Sequence, residues 1–360
     1  MVLKNVRKRK RTKKNNYLKY SVALVVSLII IAFVLMAVLH TSSRSGAVSK
    51  LINNAATYHN TTNTTTRTLS GNTISTAILF AQVTPQTGYT LSFKWGGSIK
   101  KLVEAGAINV SNLTTILNNS HQPLTLSEKD ILNGTYTGYI QFNSTNTEFV
   151  QIVLWGLGIN NDNTIITKGP IINASTPYAN SINANSTLKQ QLNQNITNQN
   201  ITSQWVASHY FASTGGYGPI GKLQMGMLNV INLTPLEQGE MYDVATHSYR
   251  PCCDNPTAFP DCNHGAAALG LIELLASQGA NQTQMFSAVQ YFYQYQFPQQ
   301  YAEIAAYFDS QGMNYSHVNS STVMGFNFSS YSGFSNVNQY LQKNGILQQL
   351  SGSSGASCGA

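Results

Sequence analysis

The residues whose side chains are best suited to bind a metal or to react lie at positions 250–265, in the sequence RPCCDNPTAFPDCNHG. This stretch contains Cys252, Cys253 and Cys262, three of the chain's four cysteines, together with His264. Thiolate sulfur and imidazole nitrogen are donors that soft metal ions such as zinc and copper(I) prefer. The stretch therefore predicts a zinc or copper site with Cys252, Cys253, Cys262 and His264 as ligands, in a structural or metal-sensing role.

Three ionisable neighbours extend this predicted site. Asp254, Asp261 and His247 are expected to orient the ligands from outside, or to replace one of them. Asp261 is also predicted to cap the helix that follows. Cys262 would then lie at the start of that helix, where free N–H groups and the helix dipole lower a thiol pKa and favour the thiolate.

The same cysteines are also compatible with a disulfide framework. Thiols oxidise in extracellular compartments. A disulfide between Cys262 and either Cys252 or Cys253 would link two helices across a short loop. The other cysteine of the pair would then form a disulfide with Cys358. This alternative predicts a cell-surface adhesion module that binds a protein or glycan partner without metal.

A third interpretation makes Cys262 a redox or nucleophilic thiol. A neighbouring cysteine would resolve the intermediate, and His264 or His247 would act as the base. The C-x-x-C motif of thioredoxin-like proteins is absent from the sequence. No catalytic residue is assigned beyond this alternative.

The cysteine stretch, together with Phe211–Gly216 and Gly270–Ser277, resembles an uncharacterised group of exported bacterial and archaeal proteins. Their signature is R-P-C-C followed by F-P-D-C-N-H-G, and the resemblance covers about residues 90–340. It implies no particular activity. It does imply that the three cysteines and the histidine of the signature act as a set, and Cys358 lies outside it.

The basic residues are concentrated at the N-terminus. The formal net charge is +8, but nine of the 21 basic residues precede Ser21, and the rest of the chain has a formal net charge of −1. The segment Ser21–Leu39 is uncharged and about long enough to cross a ~30 Å hydrocarbon layer as a helix. The basic cluster before it places the N-terminus in the cytoplasm. The sequence predicts a single-pass signal anchor with the main domain extracellular and without affinity for nucleic acid.

The surface of this outer domain is expected to be neutral and glycosylated. Only 9% of all residues are charged, so amides and hydroxyls must solvate the surface. Asn-x-Ser/Thr sequons are frequent beyond the anchor and predict a glycoprotein. They include Asn60, Asn63, Asn112, Asn133, Asn173, Asn195, Asn232, Asn281 and Asn327.

The predicted fold class is mainly α: a multi-helix extracytoplasmic domain with a few short strands, preceded by one transmembrane helix. Capping signals and apolar periodicity carry this prediction. The predicted segments are a basic cytoplasmic tail (1–19), the anchor (20–39), a Thr/Asn-rich stalk (40–71), a first helical region (72–180), an Asn/Gln-rich connector (181–203), a second helical region with the cysteine motif (204–350) and a flexible tail (351–360). Helices are expected at about 98–105, 127–132, 147–157, 234–247, 265–278, 282–295, 299–310 and 335–343, and strands at about 74–83 and 136–142.

Overall fold

The computed structural model describes residues 68–69, 72–73, 76–187, 189, 200–212 and 220–346. The predicted cytoplasmic tail, the anchor, most of the stalk, residues 188 and 190–199 of the connector, the C-terminal tail and Cys358 lie outside the described residues. Within the described part, no helix combines the length and apolar composition needed to cross a bilayer.

The described chain is mainly helical, as predicted from the sequence. The elements in chain order are β1 (Thr68–Leu69), β2 (Asn72–Thr73), α1 (Thr76–Val83), β3 (Tyr89–Lys94), α2 (Ser98–Glu104), α3 (Val110–Asn119), α4 (Leu126–Asn133), β4 (Tyr139–Phe142), α5 (Thr147–Asn160), α6 (Thr164–Lys168), α7 (Pro170–Ala184), α8 (Ser203–Val206), a π-helical turn (Ala207–Phe211), α9 (Pro235–His247), α10 (Asn263–Ala276), α11 (Gln282–Gln296), α12 (Pro298–Ser310), a 3₁₀ turn (Tyr315–His317), α13 (Ser320–Val323), α14 (Phe326–Ser329) and α15 (Tyr331–Lys343). β1 pairs with β2 and β3 with β4, both antiparallel.

Helices α5 and α10 cross at the centre of the hydrophobic core. A Cβ at Gly158 of α5 would lie only 2.0 Å from the carbonyl oxygen of Ala266, and one at Gly270 of α10 would lie 2.3 Å from that of Leu154. Each glycine therefore admits the backbone of the other helix. Because every residue of α10 from Gly265 to Ala276 is buried, this helix is fixed along its length.

One hydrophobic core takes side chains from both predicted helical regions. Leu102 and Ile159 of the first region and Met241, Leu271 and Ile304 of the second are all fully buried in it. The start of α10, which carries the cysteine motif, is therefore anchored by a core built from most of the described chain.

Three local predictions were wrong. Residues 76–83 form helix α1 rather than a strand, since Leu79 and Val83, four residues apart, are buried together. Helix α5 continues through Gly158 to Asn160, because that glycine serves the helix crossing and not a helix end. The cap of α10 is Cys262, not Asp261: its Sγ accepts a hydrogen bond from the backbone N–H of Gly265 at 3.4 Å.

Candidate functional site: a three-thiol centre

Three cysteine side chains converge at the N-terminus of α10. The sulfur atoms of Cys252, Cys253 and Cys262 all lie within 4.8 Å of one another. The Sγ atoms of Cys252 and Cys262 are 3.8 Å apart. All three side chains are half-buried, and no disulfide joins any two of them, so the disulfide predicted as an alternative is not formed among them.

The loop that precedes α10 places Cys252 and Cys253 next to the start of that helix. Arg250 and Cys253 form an isolated antiparallel bridge, with Cys253 N–H donating to the Arg250 carbonyl at 3.3 Å. At the loop's base, the backbone N–H of Thr257 donates to the carbonyl of Ser248 at 2.8 Å. The side chains of Ser248 and Thr257 are fully buried and hydrogen-bonded to each other at 2.9 Å. This buried base closes the loop over the first turn of α10.

Arg250 lies beneath the thiols with no exposed surface. Its Nε donates to Cys262 Sγ at 2.9 Å, and its Nη1 donates to the carbonyl of Asn255 at 3.0 Å. Its Nη2 donates to the Phe259 carbonyl at 3.1 Å and to Asp261 Oδ1 at 2.5 Å. The Arg250 guanidinium is thus hydrogen-bonded both to the loop and to the Cys262 sulfur at the start of α10.

Gly265 provides the space for this guanidinium. A Cβ at position 265 would lie 2.6 Å from Arg250 Cζ and under 3.0 Å from both terminal nitrogens. Any side chain at Gly265 would therefore displace Arg250 from Cys262. The glycine that follows His264 in the sequence has a steric role in the site.

The electrostatics of the centre favour one thiolate, at Cys262. Hydrogen bonds from the thiols of Cys252 and Cys253 lower the pKa of Cys262 well below the usual thiol value, and Arg250 and His264 lower it further against the opposing effect of burial. The pKa of Cys253 is instead raised to about 11. A hydrogen bond with Cys252 lowers it, but the interaction with the Cys262 sulfur and burial outweigh that effect.

His264 lies beside the centre rather than within the sulfur triangle. Its interaction with Cys262 helps to lower the pKa of that thiol. The imidazole ring packs on Phe297 with centroids 4.4 Å apart, and its backbone carbonyl accepts a hydrogen bond from Tyr293 Oη at 3.3 Å. Among the described residues, the cluster whose ligand atoms are all mutually close consists of the three cysteines alone.

The other predicted neighbours have separate partners. Asp261 accepts hydrogen bonds from Arg250 and from Asn255 Nδ2 at 2.7 Å, and burial raises its pKa although Arg250 opposes this. Asp254 is exposed and accepts from the backbone N–H and hydroxyl of Ser332 at 2.8 and 2.7 Å.

His247 is exposed at the end of α9. Its Nδ1 is 2.8 Å from the carbonyl oxygen and 3.3 Å from a carboxylate oxygen of Asp243. Its partners thus belong to its own helix.

Two residues of the site were not assigned a role from the sequence: Arg250 and Gly265. An arginine two positions before a cysteine pair is a usable signal in a chain with so few charges, since a cation beside thiols stabilises thiolate. The steric role of Gly265 depends on where Arg250 folds back and has no local signal in the sequence.

A second ionisable group is buried further along α10. Glu273 is fully buried, and its carboxylate accepts hydrogen bonds from Asn161 Nδ2 at 2.5 Å and Asn163 Nδ2 at 3.4 Å. Burial raises its pKa to about 8, although both amides oppose the shift. Asn161 in turn accepts from the backbone N–H groups of Val230 and Ile231 at 2.8 and 2.9 Å. Glu273 therefore joins α10 to the end of α5 and to the segment before α9.

Comparison of the chain with protein-family models, with curated proteins and with solved structures gives no match. The functional argument therefore depends on the three-thiol centre itself.

Proposed function

We propose that this protein binds one soft metal ion, zinc or copper, through Cys252, Cys253 and Cys262. The observation that carries the proposal is the mutual approach of three sulfur atoms within 4.8 Å. A metal–sulfur bond of about 2.3 Å requires sulfur atoms about 3.8 Å apart in a tetrahedral site. The observed separation of 3.8 Å between Cys252 and Cys262 therefore needs little adjustment.

The residues around the three thiols support a site that is preorganised before the metal binds. Cys262 is held by the helix start and by Arg250, whose charge stabilises the thiolate that a metal requires. The half-buried positions of the three cysteines leave an approach for an ion. A structural or metal-handling role fits this arrangement.

The proposed location is the outer face of a cell membrane, with residues 20–39 as the anchor. Exposure of the predicted sequons supports a glycosylated outer surface. The six sequons named above that fall within the described residues have exposed asparagines: Asn112, Asn133, Asn173, Asn232, Asn281 and Asn327. Protease treatment of intact cells tests the location, and digestion of the main domain without lysis is the expected result.

Metal analysis of the purified full chain tests the metal proposal. We expect one equivalent of zinc or copper per chain, protection of the three thiols from alkylation, and loss of that protection after chelation. Cys253→Ser should lose the metal, whereas Ser248→Ala, at the loop base, controls for disturbance of the loop. Absence of any bound or bindable metal, with all three thiols reactive, would contradict the proposal.

A second candidate is thiol–disulfide exchange, favoured by the stabilised sulfur of Cys262 and the nearby Cys252. Here the Cys262 thiolate would attack an external disulfide and release the first thiol, and Cys252 would then lose its proton and displace the second thiol as the Cys252–Cys262 disulfide forms. Reaction with oxidised glutathione followed by peptide mapping distinguishes the two functions. Rapid formation of this disulfide in metal-free protein, without any metal affinity, would favour exchange.

A further inference from the structure

We propose that the thiol centre is a three-coordinate, all-sulfur site that takes copper(I) in preference to zinc. This inference rests on the proposed metal-binding function. It concerns which ion the centre selects and assigns His264 a positioning role rather than a ligand role.

The donor set is the first reason. Structural zinc in proteins is almost always bound by four ligands in a tetrahedron. In the described part of the chain, the donor atoms that lie mutually within 4.8 Å are the sulfurs of Cys252, Cys253 and Cys262. Such a set provides three of the four positions that zinc requires and matches the preference of copper(I) for thiolates.

The engagement of the neighbouring donors is the second reason. Asp261, which precedes Cys262, receives hydrogen bonds from Arg250 and Asn255. Asp254, which follows Cys253, is held by Ser332 on the exposed side of the loop. Neither carboxylate belongs to the group of ligand atoms that lie within 4.8 Å of one another.

The position of His264 is the third reason. The imidazole hydrogen-bonds to Cys262 and packs on the ring of Phe297, with the ring centroids 4.4 Å apart. A side chain that hydrogen-bonds to a ligand orients the ligand and tunes it from outside the coordination sphere. His264 therefore positions the Cys262 sulfur toward the ion.

Arg250 also contacts the Cys262 sulfur and limits how many ions that sulfur can bind. Its Nε lies 2.9 Å from Cys262 Sγ, and a guanidinium has no lone pair to offer a metal. It occupies one side of the Cys262 sulfur and excludes a bridging second ion there. The centre is thus suited to a single ion enclosed by three sulfurs.

Competition between the two metals tests this inference. The reduced full chain is titrated anaerobically with copper(I) and, separately, with zinc, each against a chromophoric chelator. We expect tighter copper(I) binding, and X-ray absorption of the copper-loaded protein should show three sulfur neighbours and no nitrogen. His264→Ala should weaken copper(I) binding by about 10–100-fold, as for the loss of an outer partner, while Cys253→Ser should weaken it by more than that.

The outcomes separate the two levels of the proposal. Zinc bound more tightly than copper(I), or a sulfur-plus-nitrogen shell that His264→Ala removes, would overturn the three-coordinate site and leave metal binding intact. Binding of neither ion would overturn the proposed function itself. Thermal unfolding checks that each variant folds, and the absorption spectrum of the unmutated protein decides the coordination if a variant does not.

Discussion

Arg250 Nε donates a hydrogen bond to Cys262 Sγ across 2.9 Å, in a position where the arginine has no contact with solvent. A fully buried guanidinium needs compensating negative charge, and here Asp261 and the Cys262 thiolate provide it. The ionisation of the thiol and the folding of its loop are therefore linked through one residue.

Replacing Arg250 by methionine tests this link. We expect the pKa of Cys262 to rise, because a nearby positive charge that stabilises the thiolate is lost. We also expect the free energy of unfolding to fall by about 3–5 kcal/mol, since Asp261 loses its buried partner. Thiolate ultraviolet absorbance as a function of pH measures the first effect, and urea unfolding measures the second.

The matched control is Lys100→Met. Lys100 is exposed and forms a 3.6 Å ion pair with Glu104, so its loss should change stability by no more than about 0.5 kcal/mol. If Arg250→Met left the Cys262 titration unchanged, the hydrogen bond would have no electrostatic role.

Gly265→Ala should disturb the thiol centre without removing any of its ligands. The new methyl group would lie 2.6 Å from Arg250 Cζ, and four hydrogen bonds hold that guanidinium in place. We expect a loss of about 1–3 kcal/mol in stability, as for other overpacked cores. Metal affinity should fall with it, as measured by chelator competition. An unchanged affinity would show that the position of Arg250 does not matter to the site.

The helix crossing makes a prediction for the fold alone. Gly158→Ala would place a methyl group 2.0 Å from the backbone oxygen of Ala266, so α5 and α10 must separate. We expect a loss of at least about 1–3 kcal/mol in the free energy of unfolding. Gly239→Ala in α9 is the matched control: nothing lies within 4 Å of its added Cβ, and helix propensity should stabilise it by about 0.5–1 kcal/mol. Equal effects of the two changes would contradict the close crossing.

The sequence predicts the parts of this molecule that depend on local signals. Helix α9 runs from Pro235 to His247, in agreement with the range 234–247 that the sequence predicts, and Thr234 and Glu237 form the capping box at its start. The mutual approach of the three cysteines was also anticipated. It followed from the short loop between Cys253 and Cys262 and from the position of Cys262 at a helix start.

What the sequence did not predict depends on contacts between distant segments. The sequence predicts a helix end at Gly158 because glycine often has that role, whereas its partner Ala266 lies more than a hundred residues away. Nothing in the sequence distinguishes Glu273 within its apolar helix, because Asn161 and Asn163 contact its carboxylate only in the folded chain. Propensity and periodicity carry no information about such pairs.

The buried carboxyl of Glu273 should make stability fall as pH rises. Its pKa is raised from 4.5 to about 8, chiefly by burial, so the folded protein keeps a proton that the unfolded chain releases at lower pH. The unfolded state therefore binds fewer protons between pH 4.5 and about 8, and the stability contribution of this group is lost through that window. The loss amounts to roughly 4–5 kcal/mol when complete.

Glu273→Gln tests this dependence. The amide keeps the shape of the neutral carboxyl and cannot ionise, so the variant should unfold with a smaller pH slope and be more stable than the unmutated chain near pH 8. Urea unfolding across the window measures both. Glu240→Gln, at a half-buried position of α9, should leave the slope as it was. A slope that persists in Glu273→Gln would assign the pH dependence to another group.

Metal binding at the thiol centre should release protons, because a metal takes thiolates. The pKa of Cys253 is about 11, so this thiol is protonated at neutral pH and must lose its proton on coordination. Cys262, whose pKa is well below the usual thiol value, contributes little to the release. We therefore expect affinity to rise by about tenfold or more per pH unit in the neutral range, since at least one proton is exchanged. Calorimetric titration in two buffers of different ionisation enthalpy counts the protons released per bound ion. Binding that is independent of pH would mean that Cys253 is not a ligand.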